Sequence, residues 1–269
     1  MPILNALVVD DVAMVRMQLR IAIKEILHDC HVFESESALD AARFLSRFIP
    51  EVVFLDLNMP GITGLQFLEK LDRITTGRKA PIIVSISSDI SPGTLKALQD
   101  RGAYDILPKP FDRMALATVL LRLIQMARLR RVLIVDDSAT VRTLVRRIVQ
   151  KSRFNLAVEE ASTGEEAMRL FRGQGFDVAF MDVNMPGVDG LEAAGEILYT
   201  RQGVHIVMMS GDGNENVRRA AAHIGVQHFL AKPFYPHQVD AVLHTLYDMS
   251  NSRFIEAARQ EVFTQVEEL

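Results

Sequence analysis

Short apolar runs alternate along the chain with longer stretches in which apolar positions recur every three or four residues. The runs predict strands over Ile3–Val9, Cys30–Phe33, Val52–Leu55, Ile82–Ile86 and Tyr104–Leu107. They do so again over Val132–Val135, Leu156–Val158, Val178–Met181, Val204–Met209 and His228–Leu230. The periodic stretches predict helices, among them Val12–Leu27, Leu65–Asp72 and Thr140–Val149. Met114, Leu116, Val119, Leu120, Leu123 and Ile124 mark another that runs to about Arg128. Strand–helix alternation with near-continuous apolar strands predicts an α/β fold with a parallel sheet covered on both faces. Ligands of such sheets bind beyond the carboxyl ends of the strands.

The pattern occurs twice. Leu7-Val8-Val9-Asp10-Asp11 returns as Leu133-Ile134-Val135-Asp136-Asp137, and Asp56-Leu57-Asn58-Met59-Pro60-Gly61 as Asp182-Val183-Asn184-Met185-Pro186-Gly187. Both lie 126 residues downstream of their first copies (Asp136 against Asp10, Asp182 against Asp56). Lys109-Pro110-Phe111 returns 123 residues later as Lys232-Pro233-Phe234, so the first copy holds three extra residues. The polar stretch 72–79 is where a surface loop would absorb them. The chain is a duplication: one domain over 1–128, a short linker over 129–131, a second domain over 132–250, and a tail over 251–269.

Apolar residues make up 49% and charged residues 24% of the 269, which suits a globular chain and excludes disorder. A net charge of −4 supplies no overall basic field for nucleic acid. Arg128, Arg130 and Arg131 form a small basic cluster between the halves, where a solvated linker is expected. The single cysteine, Cys30, excludes an intrachain disulfide and predicts a reducing compartment. The first residues lack a signal-peptide pattern, and no run approaches the roughly 18 apolar residues of a membrane span. The expectation is a cytoplasmic protein with no membrane or direct nucleic-acid partner. His28-Asp29-Cys30-His31 superficially resembles a metal cluster, but it falls where a helix gives way to a strand, and ligands that close in sequence rarely all reach one ion.

The polar residues that follow the strands carry the chemistry. Asp10 and Asp11 follow the first strand, Asp56 the third, Ser87 the fourth and Lys109 the fifth. A parallel sheet brings these ends together, and three carboxylates so close repel one another unless a cation sits among them. Hard oxygen ligands with spare water positions favour Mg²⁺. Such an ion neutralises phosphoryl oxygens while an aspartate acts as covalent carrier. Lys109 offers a point charge and Ser87 a hydroxyl. The second copy repeats the set as Asp136, Asp137, Asp182, Ser210 and Lys232, with 22 residues between serine and lysine in both copies.

On these motifs the chain resembles the response-regulator receiver family over about Ile3–Arg128 and Val132–Met249. The resemblance implies two flavodoxin-like, doubly wound five-stranded domains in tandem. It implies phosphotransfer from a sensor histidine kinase or histidine phosphotransfer protein to Asp56 and Asp182. Asp11 and Asp137 would then ligate Mg²⁺ directly, Asp10 and Asp136 partly through water, and Asn58 and Asn184 through backbone carbonyls. Ser87 and Ser210 would be switch hydroxyls, and Lys109 and Lys232 clamps preceding a cis proline. Three residues before the clamp, where the family often holds an aromatic switch, the first copy has Ile106 and the second Phe229.

In the tail, Phe254, Ala258, Val262, Val266 and Leu269 keep roughly helical spacing, giving an amphipathic helix that docks on the second domain or pairs with another chain. Only about 20 residues follow Met249, so output is expected through protein contacts or dimerisation, by the receiver faces or this helix. One alternative is the receiver portion of a longer regulator with a downstream domain such as a diguanylate cyclase. An Asp-nucleophile phosphohydrolase is the enzyme-class rival, but its Asp-x-Asp motif would follow the first strand, where this chain has adjacent aspartates. The expected protein is thus a phospho-acceptor, acting only on its own phosphorylation.

Overall fold

The apolar runs become strands because the sheet is covered on both sides: β1 (Asn5–Val9) buries all but its first residue, and β3 (Val52–Asp56) buries all five. The computed structural model describes residues 4–211, 215–226, 228–249 and 254. The chain divides into one unit up to Arg128 and a second over Leu129–Met249.

In the first unit, β1 is followed by α1 (Ala13–Ile26), β2 (His31–Ser35) and α2 (Ala38–Arg47). After β3 come α3 (Gly64–Leu68), α4 (Leu71–Ile74), β4 (Ile82–Ser87), α5 (Pro92–Asp100), β5 (Asp105–Pro108) and α6 (Arg113–Ala127). All strand pairs are parallel, in the order β2-β1-β3-β4-β5. The order reverses between β1 and β3, which opens a crevice at their carboxyl ends.

The second unit runs β6 (Arg130–Val135), α7 (Ala139–Gln150), β7 (Leu156–Ala161), α8 (Gly164–Gly173), β8 (Val178–Asp182) and α9 (Gly190–Thr200). It continues with β9 (His205–Ser210), α10 (Glu215–His223), β10 (His228–Ala231) and α11 (Pro236–Leu246). Its parallel sheet has the same order one copy later, β7-β6-β8-β9-β10. Two flavodoxin-like α/β domains in tandem therefore make up the described chain. Side-chain oxygens start the helices: Ser37, Thr63, Ser91 and Asp112 cap in the first unit, and Ser138, Thr163 and Asp189 in the second.

Two expectations change. The single helix over Leu65–Asp72 is divided into α3 and α4. The turn tightens there, with Lys70 N–H donating to Phe67 O at 3.0 Å and Arg73 N–H to Lys70 O at 3.1 Å. The counterpart α9 runs unbroken for 11 residues. The expected linker over 129–131 is largely strand, since Arg130 and Arg131 pair with Leu156 and Ala157. Arg130 is buried with its guanidinium 3.8 Å from the centre of the Tyr247 ring, and Arg131 lies over Phe176 at 4.8 Å. Flat guanidinium groups on aromatic faces allow a basic pair to enter a sheet. The expected tail helix over 251–269 lies outside the described residues apart from Phe254.

Candidate functional site

In-register pairing sets the carboxyl ends of β1, β3, β4 and β5 along one edge: Val9 pairs with Leu55, Asp56 with Ile86, and Ser87 with Pro108. Asp10 leaves β1 at that edge and Asp56 ends β3. Ligand oxygens of Asp10, Asp11 and Asp56 lie within 4.8 Å of one another, with Asp10 and Asp56 buried and Asp11 exposed. Lys109 Nζ donates to Asp10 Oδ2 at 2.8 Å and stands 3.0 Å from Asp56 Oδ1. The second unit repeats this with Asp136, Asp137 and Asp182, and Lys232 Nζ donates to Asp136 Oδ2 at 2.6 Å and Asp182 Oδ1 at 2.7 Å.

Local geometry fixes these side chains. Asp10 Oδ1 accepts the Val12 N–H at 2.9 Å, and Asp136 Oδ1 accepts the Ser138 N–H at 2.9 Å, so each turns its second oxygen to the lysine. Lys109 N–H donates to Ser87 O at 2.8 Å and Lys232 N–H to Ser210 O at 2.7 Å, coupling the ends of neighbouring strands. Both Lys-Pro bonds are cis, as expected. Ser87 is buried, its Oγ accepting the Asp89 N–H at 3.0 Å, whereas Ser210 is half-buried. Asn58 and Asn184 are exposed, two residues past Asp56 and Asp182. Ile106 is buried in β5, while Phe229 in β10 carries the Arg218 guanidinium 5.4 Å from its ring centre.

Burial alone would lower the lysine pKa values, but the hydrogen bonds and charges of their aspartates prevail and raise both Lys109 and Lys232. Burial raises the Asp182 carboxyl; Lys232 opposes this and Asp136 and Asp137 reinforce it, leaving it above the ordinary value. Asp56 Oδ1 is fully buried and has ion-pair proximity to Lys109, yet no hydrogen bond is aimed at it. A buried carboxylate oxygen without a donor is costly. That orphaned oxygen, among three converging carboxylates, fits a small hard cation such as Mg²⁺, which Asp10, Asp11 and Asp56 would hold.

Motif reading passes over several residues at this edge. An ideal Cβ on Gly64 would stand 2.4 Å from the Asp56 carbonyl oxygen, and one on Gly190 only 1.9 Å from that of Asp182. Only glycine lets the next helix start so close beneath the aspartate. Arg16 and Arg142 also reach the site, with Nη1 donating at 2.7 Å to the carbonyls of Asp10 and Asp136. Each of these pairs keeps the 126-residue offset of the motifs, and that shared offset is the signal that finds them.

Fold and site together define a pair of open, doubly wound α/β domains, each with an aspartate–lysine cluster at the carboxyl edge of its sheet. The response regulator receiver domain model matches residues 6–121 and again 132–244, and the chain belongs to that family. It is 36% identical to the chemotaxis protein CheY of Halobacterium salinarum over 118 residues, which cover 44% of this chain and 97% of that protein. It is 33% identical to the response regulator UvrY of Escherichia coli K12 over 138 residues, 51% of this chain. The match spans 62% of UvrY, less than two thirds of its length. A crystal structure of a two-component system response regulator/GGDEF domain protein aligns over 91% of this chain and 98% of its own, with a TM-score of 0.58 and 23% identity, a likeness of fold. The chain thus carries two receiver domains in tandem. No described helix is long and apolar enough to cross a membrane.

Proposed function

We propose that each unit accepts a phosphoryl group on the aspartate ending its third strand, Asp56 in the first and Asp182 in the second. The donor is a phosphohistidine of a sensor kinase or phosphotransfer protein. The observation that carries this reading is the convergence of three carboxylates and a lysine at the carboxyl edge of the sheet, an arrangement both units share. Bound Mg²⁺ supplies charge neutralisation for the phosphoryl oxygens. A carboxylate oxygen of Asp56 attacks phosphorus in line, forming a P–O bond as the P–N bond breaks and its electron pair leaves with the donor imidazole. Asp10 and Asp11 would hold the cation, and the Asn58 carbonyl would serve as a further ligand. Lys109 exchanges its ion pair with Asp56 for a bond to a phosphoryl oxygen, and Ser87 donates its hydroxyl to another. Asp136, Asp137, Asn184, Lys232 and Ser210 act likewise around Asp182.

A donor protein must bring a surface up to Asp182, and a suitable apolar one lies beside it. A cavity of about 610 Å³ between α7 and the loop before α11 is lined by Val141, Leu144, Ile148, Phe234 and Tyr235, and Lys232 forms part of its wall. Output passes through protein contacts, with no turnover of an external substrate. A second reading, the receiver portion of a longer regulator, draws on the structural likeness to a response regulator/GGDEF domain protein and on the part of UvrY that extends beyond the match.

Intact-mass spectrometry after incubation with Mg²⁺ and acetyl phosphate tests the main reading. Two additions are expected in the wild type, one in Asp56→Asn or Asp182→Asn, and none in the double variant. Absence of any addition to the wild type refutes it.

A further inference from the structure

The same three-residue ladder stands behind both acidic clusters. In the first unit Arg16, on α1, donates from Nη1 to the carbonyls of Asp10 at 2.7 Å and Asp11 at 3.3 Å, and from Nε to Glu34 Oε2 at 3.3 Å. One helical turn on, Arg20 Nε donates to the other Glu34 oxygen at 2.8 Å. In the second unit Arg142 reaches Asp136 O at 2.7 Å, Asp137 O at 3.3 Å and Glu160 Oε2 at 3.2 Å, while Arg146 meets Glu160 Oε1 at 2.5 Å. The inner arginine side chains are 14% and 15% exposed, so they are held within the fold and do not sample solvent freely.

Two features separate this ladder from ordinary surface pairing. First, each inner guanidinium touches the main chain of the aspartate pair and none of the carboxylate oxygens, so it orients the pair without competing for its ligand atoms. Second, Glu34 and Glu160 lie on β2 and β7, which pair with β1 and β6 (Glu34 with Val8, Glu160 with Ile134), so the anchor is part of the sheet. Hydrogen bonds from Arg146 hold Glu160 ionised, below its ordinary pKa. Bonded to a charged anchor on one side and two carbonyls on the other, a planar guanidinium has little remaining freedom.

We infer that Arg16 and Arg142 are positioning residues that set the Asp10–Asp11 and Asp136–Asp137 main chain for divalent-cation binding, with Glu34 and Glu160 as their anchors. The inference rests on the reading of the acidic clusters as cation sites. Asp11 and Asp137 are the exposed members of those clusters, so their aim depends on the backbone that the arginine holds.

The test is Mn²⁺ titration of the full chain carrying Asp137→Asn, which reads the first unit alone, with free Mn²⁺ followed by electron paramagnetic resonance. Arg16→Ala is expected to weaken Mn²⁺ binding about tenfold. Arg16→Lys, which keeps the charge but cannot span both carbonyls and the anchor, should fall between it and the parent. Arg20→Ala removes the same charge one turn away, which by electrostatics alone favours a cation, and should change binding by less than about threefold. An Arg16→Ala affinity within that margin of the parent overturns the inference, as does an equal loss in Arg20→Ala, which would trace the effect to a general disturbance of α1 and not to the carbonyl contacts of Arg16. If Arg16→Ala does not fold, Glu34→Gln carries the test, and unchanged affinity there overturns it. A parent chain that binds no Mn²⁺ refutes the cation reading itself, and the inference with it.

Discussion

Gly64 and Gly190 carry an unusual share of the site for residues without side chains. Each opens the helix after the aspartate loop, and each N–H donates back to the residue following the aspartate, to Leu57 O at 3.1 Å and to Val183 O at 3.0 Å. A methyl group there has no room, because the obstacle is the backbone oxygen of Asp56 or Asp182 and not a movable side chain. Gly64→Ala and Gly190→Ala should each destabilise the unit that holds them by about 2–4 kcal/mol, read as a shift of the urea midpoint. They should also impair phosphorylation of the neighbouring aspartate while the other unit still labels. A variant of unchanged stability would show that the helix start can move away, and that the close approach is not required.

The copies differ on the first helix of each unit. On α7, Leu144 is 54% exposed and forms part of the cavity beside Lys232. Its counterpart on α1 is Gln18, and there Arg113 and Glu25 pair at 3.6 Å. Leu144→Asp should therefore lower phosphotransfer from a histidine donor protein to Asp182 about tenfold, the loss of roughly 1.4 kcal/mol of binding. Labelling of Asp182 by acetyl phosphate should be unchanged, since the small donor needs no docking surface. Equal loss with both donors would place the effect on the site and exclude docking. The sequence made the strands and the aspartate–lysine set legible because apolar runs and motif side chains speak for themselves. Arg130 and Arg131 were illegible because charge reads as solvent exposure, and their aromatic partners, Tyr247 and Phe176, lie far away in sequence. The tightened turn between α3 and α4 left no mark either, since Glu69 and Lys70 are good helix formers.

At the scale of the molecule, each unit has its own apolar core: Leu7, Val53, Leu55 and Leu98 belong to one, and Leu133, Ala179, Met181 and Met208 to the other. The repeat made this division legible before any geometry, because the motif blocks recur at one offset and only a loop changes length. β4 begins 18 residues after Gly64 and β9 15 residues after Gly190, so the three-residue difference lies between the helix start and the next strand, away from the site. If both proposed acceptor aspartates take phosphate, the polypeptide is a two-bit register with four states. Were the bits independent, the doubly marked fraction would equal the product of the two single occupancies at every dose of donor. Intact mass of partly phosphorylated chains gives the unmarked, singly marked and doubly marked fractions, and the Asp56→Asn and Asp182→Asn variants give the occupancy of each site alone. Agreement with that product would describe two parallel channels, and an excess or deficit would be the free energy by which one bit reads the other.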